Sequence, residues 1–243
     1  MMFDVLRADW PAPKNIHACT TTRAGGVSVA PFDALNVGDH CGDDVKAVQE
    51  NRARLRQHLA LPAEPQWLQQ VHGINVVDAM QMSARVADAA FTTQRGVVLS
   101  IMTADCLPLL ICNRAGNWIS TAHAGWRGLC GGVIEQTIAC YDGDKNDLLV
   151  WLGPAIGPDA FEVGDEVKAA FIAHDAQAAL AFKPSPQGRW LADLFLLARQ
   201  RLARLGITSV FGGGVCTYSD AKRFYSFRRD KTTGRMASLI WME

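Results

Sequence analysis

Val97-Val-Leu-Ser-Ile-Met-Thr-Ala-Asp-Cys-Leu-Pro-Leu-Leu-Ile-Cys112 decides the fold class of this chain. Two apolar runs, 97–102 and 107–112, flank a short polar link, Thr103-Ala-Asp-Cys106. Each run has the length of a strand and is too short for a helix, so the stretch reads as a hairpin-like strand pair. A membrane span needs roughly 18 unbroken apolar residues, and Ser100, Thr103 and Asp105 break this one. Outward from it, strands are expected at 74–77, 118–122, 148–152, 207–211, 224–227 and 237–241, each bounded by turn residues. Helices are expected at 45–59, capped by Asp43 or Asp44, after Gly128 through Ile138, at 166–172, and at 191–205, closed by Gly206. Helices and strand pairs mix without strict alternation. The expected class is α+β with mixed sheets.

The 243 residues carry 24 Lys+Arg against 24 Asp+Glu, a formal net charge of zero. Nucleic acid and anionic membrane surfaces attract clustered positive charge, so neither is expected as a partner. A chain of this length buries roughly 70% of its unfolded surface, enough for one core. Lys183-Pro-Ser-Pro-Gln-Gly188 is linker-like but too short to separate domains. One domain spanning 1–243 is expected, monomeric or weakly homo-oligomeric. The opening MMFDVLRADW places Asp4, Arg7 and Asp9 where a signal peptide is apolar. Seven cysteines are scattered without a CxxC pair. They read as the reduced thiols of a cytoplasmic protein, most of them core fillers.

Four segments put polar or special residues at the ends of apolar strands, where scaffolds present chemistry. They are Gln70-Val-His-Gly73, Thr103-Ala-Asp-Cys106, His123-Ala-Gly-Trp-Arg-Gly128 and Gly153-Pro-Ala-Ile-Gly157. Taken singly, His72 reads as a turn histidine and Cys106 as a core thiol. With His123 they form a set of nitrogen and sulfur donors with a fourth position open, the composition of a catalytic zinc site. Asp105, a carboxylate between apolar strands, needs a partner. The glycine turn after His123 offers backbone N–H groups and Arg127 to an anion. Arg52 falls on the apolar stripe of the 45–59 helix, which normally excludes arginine. It either snorkels to water or aims its guanidinium at phosphate or carboxylate in a cleft.

Thr21-Thr-Arg-Ala-Gly-Gly-Val-Ser28, Asn36, Glu50-Asn-Arg52 and the first three segments above resemble the YfiH-type, laccase-domain proteins. Gly153-Pro154, Phe161-Glu-Val163 and Arg228-Arg-Asp230 extend the match over nearly the whole chain. The resemblance implies a sandwich of mixed β-sheets flanked by helices, similar to the deamidating cytotoxic necrotizing factor toxins. It also implies a purine nucleoside phosphorylase acting on adenosine, inosine and 5′-methylthioadenosine, with adenosine deaminase activity at the same site. Zn2+ would sit on His72, Cys106 and His123, with copper possible there. Purine nucleosides and phosphate are then the partners. Asp105 is expected to shuttle protons, Arg52 with Arg23 or Arg127 to hold phosphate, and Asn36 to bind substrate.

The family's other label, multicopper polyphenol oxidase, meets an obstacle. Six histidines (17, 40, 58, 72, 123 and 174) with no His-x-His pair supply at most one copper. Three competing readings stay open. One is a cysteine hydrolase or amidase with Cys106 as nucleophile and His123 as base. The others are a single-copper phenol oxidase and a non-catalytic nucleotide- or metal-binding module.

Overall fold

The 97–112 stretch forms two strands, but they enter different sheets. The structure is a computed structural model describing residues 3–81, 85–186 and 188–243. In chain order its elements begin with β1 (Val5–Arg7), β2 (Ile16–Thr21), α1 (Val45–His58), β3 (Val76–Asp78), β4 (Ala89–Thr92), β5 (Val98–Thr103), β6 (Leu107–Asn113) and β7 (Ile119–Ala124). Next come α2 (Trp126–Gly131), α3 (Val133–Ala139), β8 (Leu148–Leu152), β9 (Glu162–Val163) and α4 (Asp165–His174). The chain continues through β10 (Phe182–Pro184), β11 (Trp190–Ala192), α5 (Leu194–Arg204), β12 (Val210–Gly212), α6 (Phe227–Asp230) and β13 (Met236–Met242).

A four-stranded antiparallel sheet has the order β1-β2-β13-β5, with β13 inserted between β2 and β5. A six-stranded sheet runs β12-β8-β6-β7-β4-β3, antiparallel in the middle and parallel at each end. Strands β10, β11 and β9 form a small third sheet. The two large sheets pack face to face through Leu99, Ile101 and Ile240 on one side and Leu110, Ile119 and Trp151 on the other. Leu55 of α1 covers the outer face of the first sheet over Val98, Leu239 and Trp241. Helices α3 and α5 cover the outer face of the second, with Ile134, Ile138, Leu197 and Leu202 over Leu109, Ile111 and Val150. Neighbouring residues of β5 and β6 therefore point into different cores, which is why both runs are apolar apart from Ser100. The α+β sandwich flanked by helices is the architecture present.

Several boundaries differ from the sequence reading, each for a local reason. The helix after Gly128 is two helices, broken at Gly132 with φ +103°. The 191–205 helix starts at Leu194, because the Asp193 side chain accepts from the Leu196 amide while Leu191 pairs in β11. No strand forms at 224–227; Ser226 instead caps α6 through the Arg229 amide. Of 207–211 only the last residues pair, as β12. The sequence reading does not reach strands β1, β2, β4, β9, β10 and β11; most are short, and β2 and β4 pair with strands much later in the chain. The linker-like 183–188 contributes Pro184 to β10, while Gln187, like Met1 and Met2, lies outside the described residues. Among the described residues no helix is long and apolar enough to cross a membrane.

Candidate active site

Where the chain leaves β5 for β6 it must cross between sheets, and Cys106 ends that crossing. Asp105, just before it, sits at φ +91°, a left-handed backbone that aspartate tolerates better than most side chains. His123 lies on β7, opposite Pro108 of β6, and so close to Cys106. His72 comes from the loop before β3. The ligand atoms of His72, Cys106 and His123 all lie within 4.8 Å of one another, the one such group among the described residues. Cys106 Sγ is 3.8 Å from His72 Nε2, and the two imidazoles meet edge to face at 4.8 Å between centroids. His123 is buried and His72 exposed, so the cluster opens to solvent on one side.

The residue that organises this cluster is Asp88, which the sequence reading missed. It is fully buried just before β4, whose pairing with β7 brings it beside His123. Its Oδ1 receives His123 Nδ1 at 2.8 Å and the His72 amide at 2.9 Å, and its Oδ2 receives the Gly73 amide at 2.7 Å and the Val71 amide at 3.2 Å. One carboxylate thus fixes the His123 ring, leaving Nε2 toward the cluster, and holds the loop carrying His72. Burial works against its charge, but these donors prevail and hold its pKa below the usual value. Gln70 anchors the same loop from the other end, its amide exchanging two 2.8 Å hydrogen bonds with the Met102 backbone.

The thiols separate by environment. Burial pushes Cys19 and Cys112 up to about 12, and Cys41, Cys130 and Cys140 also go up. Burial opposes the thiolate of Cys106 as well, but charge and hydrogen bonding from His123, and then His72, bring it down to about 6. Reciprocally, against its own burial, the Cys106 and Asp88 charges raise His123 to about 9. The result is a thiolate–imidazolium pair between those values. Gly125 permits the approach: a Cβ there would stand 2.9 Å from Cys106 Sγ and 3.1 Å from His72 Cδ2. This close approach is what the glycine turn supplies to the cluster.

A cavity of about 320 Å³ opens over the cluster, inside the size range of small-molecule sites. Apolar Ile156, Phe161 and Phe227 line it along with two cations, Arg228 and Arg235, neither singled out from sequence as a phosphate ligand. The anticipated binders are elsewhere. Arg23 donates to the Asp33 carbonyl and carboxylate and lies over Tyr225. Asn36 is buried, bonded to Gly38, Asp43 and the Arg235 amide. Arg127 is exposed on α2 against Trp126. Arg52 neither snorkels nor reaches the cavity: it stacks on Trp67 at 4.3 Å, donates to the Val37 carbonyl and pairs with Asp39. Asp105 lines the cavity, but Thr217 Oγ1, Ser226 Oγ and the Arg228 amide occupy its oxygens at 2.7, 3.0 and 2.7 Å. That makes it an anchor for α6 rather than a free proton carrier. The partner that the sequence demands for Asp105 is thus the start of α6 together with Thr217, an identity that no spacing in the sequence supplies.

The family profile described as multi-copper polyphenol oxidoreductase laccase matches residues 17–243. The chain belongs to this laccase-domain family. The laccase-domain chain is 52% identical to the purine nucleoside phosphorylase YfiH of Escherichia coli, covering 99% of this chain and 100% of that one. It is 55% identical to a purine nucleoside phosphorylase of Pseudomonas aeruginosa, covering 98% of each. A crystal structure from Neisseria meningitidis superposes with TM-score 0.94 at 46% identity, over 98% of this chain and 99% of that one. YlmD from Geobacillus stearothermophilus gives 0.87 at 31% identity, over 96% and 94%. Among the described residues the donor set of this laccase-domain chain fits one ion: His17 stacks on Trp241 and His58 is tilted against Phe3, away from the cluster.

Proposed function

We propose that this chain is a purine nucleoside phosphorylase, cleaving adenosine, inosine and 5′-methylthioadenosine with phosphate to free base and (methylthio)ribose 1-phosphate. Adenosine is also deaminated at the same site. The observation that carries the reading is a His/Cys/His donor set under a cavity of ligand size, in a chain about half identical to relatives of that name. Two imidazoles and a low-pKa thiolate suit zinc, and copper would use the same donors. Zinc held there supplies a Lewis acid that acidifies water and steadies developing negative charge. The chain's own groups do the rest. Asp88 keeps His123 in one tautomer, Phe161 and Phe227 line the purine side of the cavity, and Arg235 supplies charge for phosphate, positioning being most of the work. Seven free thiols fit a reducing cytoplasm.

The decisive experiment is incubation with adenosine and phosphate followed by separation of products. Adenine with ribose 1-phosphate is expected, with some inosine; the absence of both refutes the reading. His123→Ala is expected to abolish both reactions while the circular dichroism spectrum stays unchanged. A folded variant keeping either reaction near the parent rate would assign the chemistries to separate machinery. One observation favours a second reading, the Cys106–His123 thiolate–imidazolium pair, which is also how a cysteine hydrolase activates its nucleophile. Such an enzyme works in chelator and dies with iodoacetamide.

A further inference from the structure

The cavity has two chemically different walls, each tied together by its own contacts. On one, the Arg228 guanidinium lies over Phe161 at 5.3 Å and donates through Nη1 to the Glu162 carbonyl, with Phe227 half exposed beside it. On the other, Thr103 ends β5 opposite Met236, and Arg235, the residue before Met236, lines the same cavity. His40 completes this second wall: burial, then the nearby Arg235 charge, lower its imidazole pKa against the pull of Asp39. Arg235 is held by Nη1 on the Thr233 and Gly234 carbonyls. Among the described residues its Nε and Nη2 have no hydrogen-bond partner.

Thr103 supplies the independent signal. It is 1% exposed and lines the cavity, and its Oγ1 has no hydrogen-bond partner among the described residues. Thr121 and Thr233 also carry unpaired hydroxyls, but neither lines the cavity. A buried hydroxyl normally finds a partner, so an unpaired one on a residue that lines the same cavity as an arginine fork marks a place for oxygen atoms of a ligand. The fork favours a planar or tetrahedral oxyanion over a neutral sugar. The nearby carboxylates have cationic or hydrogen-bonding partners of their own: Asp105 is held by Thr217, Ser226 and α6, and Asp39 pairs with Arg52 and His40.

We propose that Thr103 and Arg235, with His40 at the edge, form the phosphate subsite, the purine lying against the Phe161–Phe227 wall opposite. This rests on the phosphorolysis reading and replaces Arg52, Arg23 and Arg127 as its phosphate ligands.

The test titrates inorganic phosphate into the intact, metal-loaded protein by calorimetry without nucleoside. Thr103→Val, which removes the hydroxyl and nearly keeps the volume, should weaken phosphate binding about three- to tenfold. Arg235→Met should weaken it by about tenfold or more, and Arg52→Met should leave it within about twofold. Should Arg235→Met fail to fold, Arg235→Lys keeps the charge without the fork and should fall between parent and Met. Binding that survives both the Thr103 and Arg235 changes, or is lost with Arg52→Met instead, overturns the subsite. Phosphate binding that responds as stated, without cleavage of any purine nucleoside, keeps the subsite and removes the phosphorylase reading. Cleavage whose phosphate KM ignores both substitutions does the reverse.

Discussion

Protons and metal compete for the same atoms at His123 and Cys106. In metal-free protein between about pH 6 and about pH 9, Cys106 is a thiolate while His123 still carries its proton. Only a neutral imidazole can ligate, so zinc uptake in this window should release about one proton, and affinity should rise with pH until His123 deprotonates unaided. Below about 6 the thiol reprotonates as well, and affinity should fall more steeply. Calorimetry in buffers of different ionisation enthalpy measures this release; zero release near pH 7.5 would remove the imidazolium. The donor trio was legible in sequence because nitrogen and sulfur side chains stood at strand ends. Asp88 was not, since alanine-rich Ala87-Asp-Ala-Ala90 carries neither a strand pattern nor a motif and its aspartate reads as one stray charge. Its meaning arises only when β4 lies beside β7. Arg52 was legible as an anomaly, yet helical spacing does not say that Trp67 and Asp39 receive it.

Strands and turns place these side chains with little slack. The Gly125 turn leads from β7 into α2, and a methyl group there would press on both Cys106 and His72. Gly125→Ala should therefore lower metal content, by roughly tenfold in affinity if the cost is about 1.4 kcal/mol, with the fold retained. Elemental analysis after dialysis against a weak chelator checks it; parental zinc content would mean that the site yields freely. At this scale, 97–112 was correctly read as two strands, because six apolar residues between turn signals suit a strand buried on both faces. Their supposed pairing failed for the same reason. Continuous apolar character identifies burial on both sides but not the partner, and here each strand has a helix-covered outer face and a shared inner one. The 191–205 reading erred because apolar Leu191 extends the helical pattern past the Asp193 cap.

For the molecule as a whole, the cluster joins the two large sheets, since Cys106 enters from the β5 crossing while His123 belongs to β7. A ligand that binds only the closed sandwich stabilises it by mass action, roughly 2.7 kcal/mol at a hundredfold excess over Kd. Stripping the metal should then lower Tm by roughly 5–10 °C for a chain of this size, measured by scanning calorimetry with and without chelator; an unchanged Tm would uncouple the site from the fold. The insertion of β13 between β2 and β5 has a consequence for how the protein is made. As the ribosome extrudes the chain, everything through β12 can emerge while the first sheet still has a gap in its middle. Arg235 and the partner of Thr103 arrive together with the strand that fills that gap. A nascent chain short of β13 thus holds both histidines and the cysteine but lacks one wall of the pocket, so the pocket is completed when β13 enters the sheet rather than gradually.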